Sequence, residues 1–437
     1  MKLIKLNRNC YSFALFFFFL STTFCPFLIR SNLNVNFQIR KKFIINQYQN
    51  GNQRNGVVNI IHDNKLITAW ITEGQDGELT GVYARIFDKT GTPITSEFQV
   101  NSIYTHLQED VKVSTNKIGL IAFVWESYWS EKMTSGGIST RVFDFDGNAL
   151  SEEVLVNQTT LGFQGDPDLS WDNNNNYLVV WEGVNILNTR MNIYLRKFNP
   201  QGVPLTAEMI VAENQNGDQL TPKIVVDDEG NCLIVWNQLA DSVEESGLYF
   251  TILTPELLSI SKETKIVPIY YGTLIQTSII YDNFNKRYII AWSNYNIETN
   301  GYDIFFRFIS KDGQLESAIQ QVNIQNGTWN VNPVLTLADK KTIIVAWEKY
   351  SFDLEKKNIY LRVFDSNGNP LSSEIKLIES NKTCLINNLD LSFIHPNLWI
   401  ISTVEMMGLD VEAKILEFEY HISQQRSKRL KHVSINH

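Results

Sequence analysis

The chain has 437 residues, room for two or three ordinary domains, and its 43% apolar and 12% aromatic content excludes a disordered body. A net charge of −9 excludes nucleic acid as the expected partner, because that surface needs a basic footprint. The six histidines show no metal-ligand spacing and no GxSxG or HExxH occurs, so neither a metal nor a cofactor is expected.

The amino terminus reads as an export signal over residues 1–25. Lys2, Lys5 and Arg8 precede the apolar run Phe13–Leu20, and Ser21, Thr22 and Thr23 follow it. The alternative is an uncleaved anchor extending to residue 29, since the 19 residues from Tyr11 to Ile29 just suffice to span a bilayer. No membrane insertion is expected beyond this segment. Export agrees with three glycosylation sequons, at Asn157, Asn326 and Asn381, all in polar links. Of four cysteines, only Cys232 and Cys384 lie in the body, in repeats four and seven, and they are expected as buried free thiols.

Residues 33–420 carry one pattern repeated seven times. Its tryptophan slot is filled by Trp70, Trp125, Trp181, Trp236, Trp292, Trp347 and Val404, at spacings of 55, 56, 55, 56, 55 and 57 by subtraction. A period this regular points to a propeller or solenoid. The sixth copy divides into four strands. VLTLA from Val334 comes first, then the apolar TIIVAW, then IYLRVF, then EIKLI, with a DSNG hairpin turn before the last. Four short strands per repeat make one blade of a β-propeller.

The ends predict how the ring closes. Internal fourth strands read EFQVN (Glu97–Asn101), EVLVN (Glu153–Asn157) and IQQVN (Ile319–Asn323). KFIIN, Lys42–Asn46, has the same form but precedes the first repeat, while the seventh repeat lacks a fourth strand. We therefore expect an all-β, seven-bladed propeller of four-stranded blades, closed by an N-terminal strand that leaves no open edge. Residues 421–437, with Arg426, Lys428, Arg429 and Lys431, form a basic tail.

Side chains that recur in every repeat are expected to be scaffold, because a ligand site needs different residues converging from different blades. This applies to the tryptophans and to Arg85, Arg141, Arg196, Arg307 and Arg362, which pair with carboxylates or blade carbonyls. It applies also to Glu126, Glu182 and Glu348. The amides Gln53, Gln108, Gln164, Gln219, Asn330 and Asn387, seventeen residues before each slot, are expected to bond the adjoining blade's backbone. The FDxxGxP turns resemble calcium loops, but most offer one carboxylate each, so hairpin turns are expected.

The pattern WE…YxRxFDxxGxPxxxEFxVN, seen in VVWEG…YLRKFNPQGVPL (Val179–Leu205) and from Ala69 to Asn101, resembles a tandem repeat of large secreted or surface-attached bacterial and protist proteins. The resemblance implies a propeller-like fold and extracellular display, and no defined activity. The expected function is a non-catalytic binding or adhesion module for extracellular protein or glycan, not an enzyme. Its binding face would be built on Tyr128, Trp129, Tyr295, Trp329, Tyr350 and Phe352, in the variable links on one face. The alternatives are a sialidase-like propeller glycosidase or a lyase, with paired carboxylates at the channel mouth, and a structural spacer of a surface assembly.

Overall fold

A computed structural model describes residues 33–422, apart from 62–63, 104, 106, 129–135, 185–189, 270–274, 325–327, 351–356, 379–385, 396 and 406–408. The signal segment, the tail, Trp129, Phe352, Asn326, Asn381 and Cys384 lie outside the described residues. No helix among those described is long and apolar enough to cross a membrane.

The chain is all-β and propeller-like. Five four-stranded sheets and one eight-stranded sheet account for the strands. The eight-stranded sheet holds the strands of repeats five and six, joined by a single parallel bridge between Tyr302 and Trp329. Within each repeat the first three strands pair as antiparallel neighbours. In repeat two, Gln108 faces Ser127 and Trp125 faces Ser139.

The first strands stand side by side. Those of repeats one to seven span Gln53–Ile61, Leu107–Thr115, Gln164–Trp171, Asp218–Val226, Thr277–Asp282, Trp329–Asp339 and Ile386–Ile394. Each packs against the next, and the seventh packs against the first. The N-terminal strand Leu33–Ile44 lies on the outer edge of the last repeat's sheet. It is longer than the five-residue KFIIN segment seen in the sequence.

The core lies between the sheets rather than within one. Ile67, Val82 and Ile86 of the first repeat pack with Val111 and Phe123 of the second. All six slot tryptophans are fully buried, and the seventh repeat supplies Trp399 instead. Trp181, Trp236, Trp292 and Trp347 stack on a third-strand aromatic of their own sheet, as Trp181 does on Tyr194 at 5.6 Å.

The recurring amides have a different role from the one expected. Gln108, Gln164 and Asn330 accept the indole N–H of Trp125, Trp181 and Trp347, at 2.8, 2.8 and 3.0 Å, inside their own sheet. A buried indole needs one acceptor, and the neighbouring strand supplies it. The arginines bond carbonyls. Arg141 donates from Nε to the Ser151 carbonyl and from Nη1 to the Val100 carbonyl of the preceding repeat. Arg85, Arg196 and Arg362 do the same, each 5.3–5.4 Å over the Phe two residues on. In the turns, Asp88, Asp144 and Asp365 accept from backbone N–H groups two and four residues later. Cys232 is a buried free thiol.

Candidate active site in the channel

A channel-like cavity of about 750 Å³ is lined by residues of the first strands. Near their amino-terminal ends, six carry a β-bulge, marked by register shifts such as that between Glu109 and Lys112. At five of these bulges a polar residue takes a positive φ: Asn55, Asp110, Asp166, Thr221 and Asn332, between 43° and 55°. Asn and Asp tolerate this conformation, whereas a β-branched Thr is an outlier there. A bulge re-aims a side chain and strains the backbone, and both effects gather at functional sites. All five of these residues line the channel.

The recurring acids behind the wall tie one repeat to the next. Glu126 Oε1 accepts from the Asp166 N–H at 2.6 Å, and Glu182 Oε2 from the Thr221 N–H at 2.7 Å. Where repeat five has Ser293 in that slot, Gln276 Oε1 takes over and accepts from the Asn332 N–H at 2.8 Å. Glu348 is fully buried and ion-paired with Lys357 at 2.6 Å. These glutamates are scaffold that also shapes the channel.

Repeats two to four differ from the rest. Their bulges bring Asp110 and Asp166 together with Glu126, so that one carboxylate oxygen from each lies within 4.8 Å of the others. One layer deeper stand Lys112, Asp168, Lys223 and Asp390, where repeats one, five and six have Val57, Ser278 and Val334. The charged lining of the channel thus comes from repeats two, three, four and seven.

The electrostatics follow from this crowding. Burial, and then the Asp110 charge, push the Glu126 carboxyl up to about 7. Burial and then Asp110 also raise Asp166, which lines the channel, while Lys223 and Lys112 offset part of the rise. Glu182 is raised by burial and then by the Asp166 charge, while the Thr221 N–H offsets part of the rise. Asp390, deeper in the wall, is pushed up to about 6 by burial. Asp110 forms an ion pair with Lys112.

Asp110, Glu126 and Asp166 are the group among the described residues that could hold a metal ion. A calcium ion with ligands at about 2.4 Å would set opposing oxygens about 4.8 Å apart, but it needs six to eight oxygens. Here both Glu126 oxygens already accept hydrogen bonds and Lys112 holds Asp110.

The residues expected on the binding face separate into three groups. Tyr128 is buried, not an exposed anchor, because its hydroxyl donates to Glu126 Oε2 at 2.6 Å. Tyr295, Trp329 and Tyr350 come together across repeats five and six. Tyr302 has its ring 5.3 Å from Tyr295 and 5.5 Å from Trp329, and Trp329 faces Tyr350 across the strands. Trp129 and Phe352 lie outside the described residues. Asn157, expected as a glycosylation acceptor, is engaged within the fold. It is buried, its Oδ1 accepts from the Ile138 N–H at 2.8 Å, and its Nδ2 donates to the Thr159 carbonyl at 2.7 Å.

No family model and no curated protein matches the chain. Solved structures do. A protein of unknown function from Dyadobacter fermentans is similar at a TM-score of 0.50 and 9% identity, over 88% of this chain and 99% of that one. A polysaccharide lyase is similar at 0.49 and 8%, over 83% and 90%. An α-L-arabinofuranosidase from Fusarium graminearum is similar at 0.48 and 10%, over 74% and 95%. At these identities the likeness is one of fold.

The expectation of a non-catalytic adhesion or protein-binding module is corrected here. A polysaccharide lyase and an α-L-arabinofuranosidase stand among the matched structures. The convergent chemistry lies in the channel, where unlike residues from three repeats meet, and not on the loop face chosen from the sequence. The description of the chain as a non-enzyme is withdrawn with it.

Proposed function

We propose that this chain is an extracellular glycan-cleaving enzyme, built on a seven-bladed ring closed by its N-terminal strand, with Asp110 and Asp166 as the catalytic pair. The ring reading is supported by the seven first strands, each packed on the next and the last on the first. It is supported also by the N-terminal strand on the last sheet's edge. The observation that carries the function is the convergence of Asp110 and Asp166 on the channel wall, from different repeats, with Glu126 and Glu182 behind them.

In hydrolysis, Asp166 gives its proton to the glycosidic oxygen as the C–O bond breaks. Asp110, whose carboxylate lies within 4.8 Å of that of Asp166, bonds to the anomeric carbon in the same step, and water then displaces Asp110 from that carbon while giving its proton to Asp166. A sialidase-like mechanism loses support, because Arg85, Arg141, Arg196 and Arg362, four of the five recurring arginines, bond carbonyls instead of facing a shared site. An extracellular setting is supported by the export signal over residues 1–25 and by the repeat's resemblance to those of secreted and surface proteins. The body would be residues 33–420 and the basic tail 421–437.

The test is a polysaccharide panel read by reducing-end release, with Asp110→Asn and Asp166→Asn as controls. Release by the parent and a loss of about 10²–10⁴-fold in both folded variants would support the reading. Cleavage that survives both substitutions would place the chemistry elsewhere.

A further inference from the structure

The channel and the face beside it also say which glycans fit, an inference that rests on the glycan-cleaving reading above. We propose that the substrate is a neutral polysaccharide, positioned on the aromatic strip Tyr295, Tyr302 and Trp329 and cleaved by hydrolysis, and not a polyuronate cleaved by elimination.

The first ground is charge. Four carboxylates line the channel, Asp110, Asp166, Asp168 and Asp390, against two lysines and no arginine or histidine. Both lysines face carboxyl groups of the same wall. Lys112 is ion-paired with Asp110, and Lys223 acts on Asp166 and Asp168. Nearby, Arg54 is ion-paired with Glu109. Elimination at a uronate needs its carboxylate neutralised by a cation, whereas here each added negative charge would enter a wall already in excess of them. A neutral sugar meets the same wall as a set of acceptors and amides for its hydroxyls, including Asn55, Thr221 and Asn332.

The second ground is the strip. Trp329 is exposed and lies three residues before the channel-lining Asn332 on the same strand, about 10 Å at the strand rise. The parallel bridge from Tyr302 to Trp329 joins two sheets at this point and holds the rings edge to face. An apolar ring surface fits the C–H face of a neutral pyranose or furanose and offers an acidic sugar no countercharge.

The experiment compares neutral chains (arabinan, galactan, xylan) with polyuronates (polygalacturonate, alginate), each with and without added calcium. Reducing ends and the ultraviolet absorbance of the unsaturated product that elimination leaves are read together. Gel retardation of Asp166→Asn in the same polysaccharides reports binding without turnover. We expect reducing ends from a neutral chain, no unsaturated product, and retardation by neutral chains alone. In Trp329→Ala, KM for that chain should rise about tenfold with kcat unchanged. Cleavage or retardation with a polyuronate, calcium present or not, overturns the neutral class and leaves the glycan-cleaving reading standing. An unchanged KM in Trp329→Ala overturns the strip. Neither cleavage nor retardation with any chain overturns both readings together.

Discussion

Asn46 accepts a hydrogen bond from the backbone N–H of Val411 at 3.0 Å, across 365 residues of sequence. Asn101, Asn157 and Asn323 make the same bond to Val82, Ile138 and Ile304, within their own repeats. Asn46 therefore does for the last repeat what a fourth-strand Asn does elsewhere, and its Nδ2 adds bonds to Tyr48 and Asp410. Asn46→Ala should cost about 1–3 kcal/mol, because it leaves a buried N–H without an acceptor. Removing residues 41–46 should lower Tm further and expose an edge to aggregation. A deletion variant that melts like the parent would show that the N-terminal strand does not close the ring.

Stability should fall as pH rises through the range set by Glu126. Its carboxyl ordinarily titrates at 4.5 and is pushed up to about 7 in the fold. Between those values the folded chain keeps a proton that the unfolded chain releases, so each rise in pH favours unfolding. Asp390, pushed up to about 6 by burial, acts with the same sign. Tm should be higher at pH 5 than at pH 8, and Glu126→Gln should flatten the decline. An equal decline in that variant would remove Glu126 from the account.

Arg141→Ala tests whether the recurring arginines are scaffold. It removes two charge-assisted bonds to the carbonyls of Ser151 and Val100, worth about 1.5–3 kcal/mol each at most. Tm should drop while kcat/KM below the transition stays as in the parent. A selective loss of activity with Tm unchanged would instead place the guanidinium at a ligand.

Trp181→Ala should be the severest of these changes, at about 3–5 kcal/mol. The ring is fully buried, stacks on Tyr194 and bonds Gln164. Thermal unfolding measures it directly, and a loss below about 1 kcal/mol would mean that the core repacks around the cavity.

Asn157 should stay unmodified when the chain is secreted from a glycosylating host, because both ends of its carboxamide are engaged. Peptide mass mapping would decide it. A glycan found there would mean that the fourth-strand Asn is dispensable to the fold.

By itself the sequence determined the repeating architecture, because the same residue types recur at the same offsets from one repeat to the next. Trp125, Trp181 and Trp347 meet the amide seventeen residues earlier, and the regular period makes such pairs visible without coordinates. Even the odd placement of KFIIN was legible, since an Asn that ends a fourth strand is recognisable before any repeat begins. The partner of each amide was not, because strand spacing alone cannot distinguish a bond across one sheet from a bond to the next. The site depended wholly on tertiary structure. Asp110 and Asp166 are 56 residues apart and meet only because neighbouring first strands bulge at the same height and turn unlike side chains into one channel. The trace they left in the chain is a polar residue two positions after the recurring amide: Asn55, Asp110, Asp166, Thr221 and Asn332. Burial likewise decided between exposed and enclosed aromatics. The same stretch of variable links put Tyr128 against a buried glutamate and left Trp329 facing solvent, a difference fixed by the strands that happen to cover each ring.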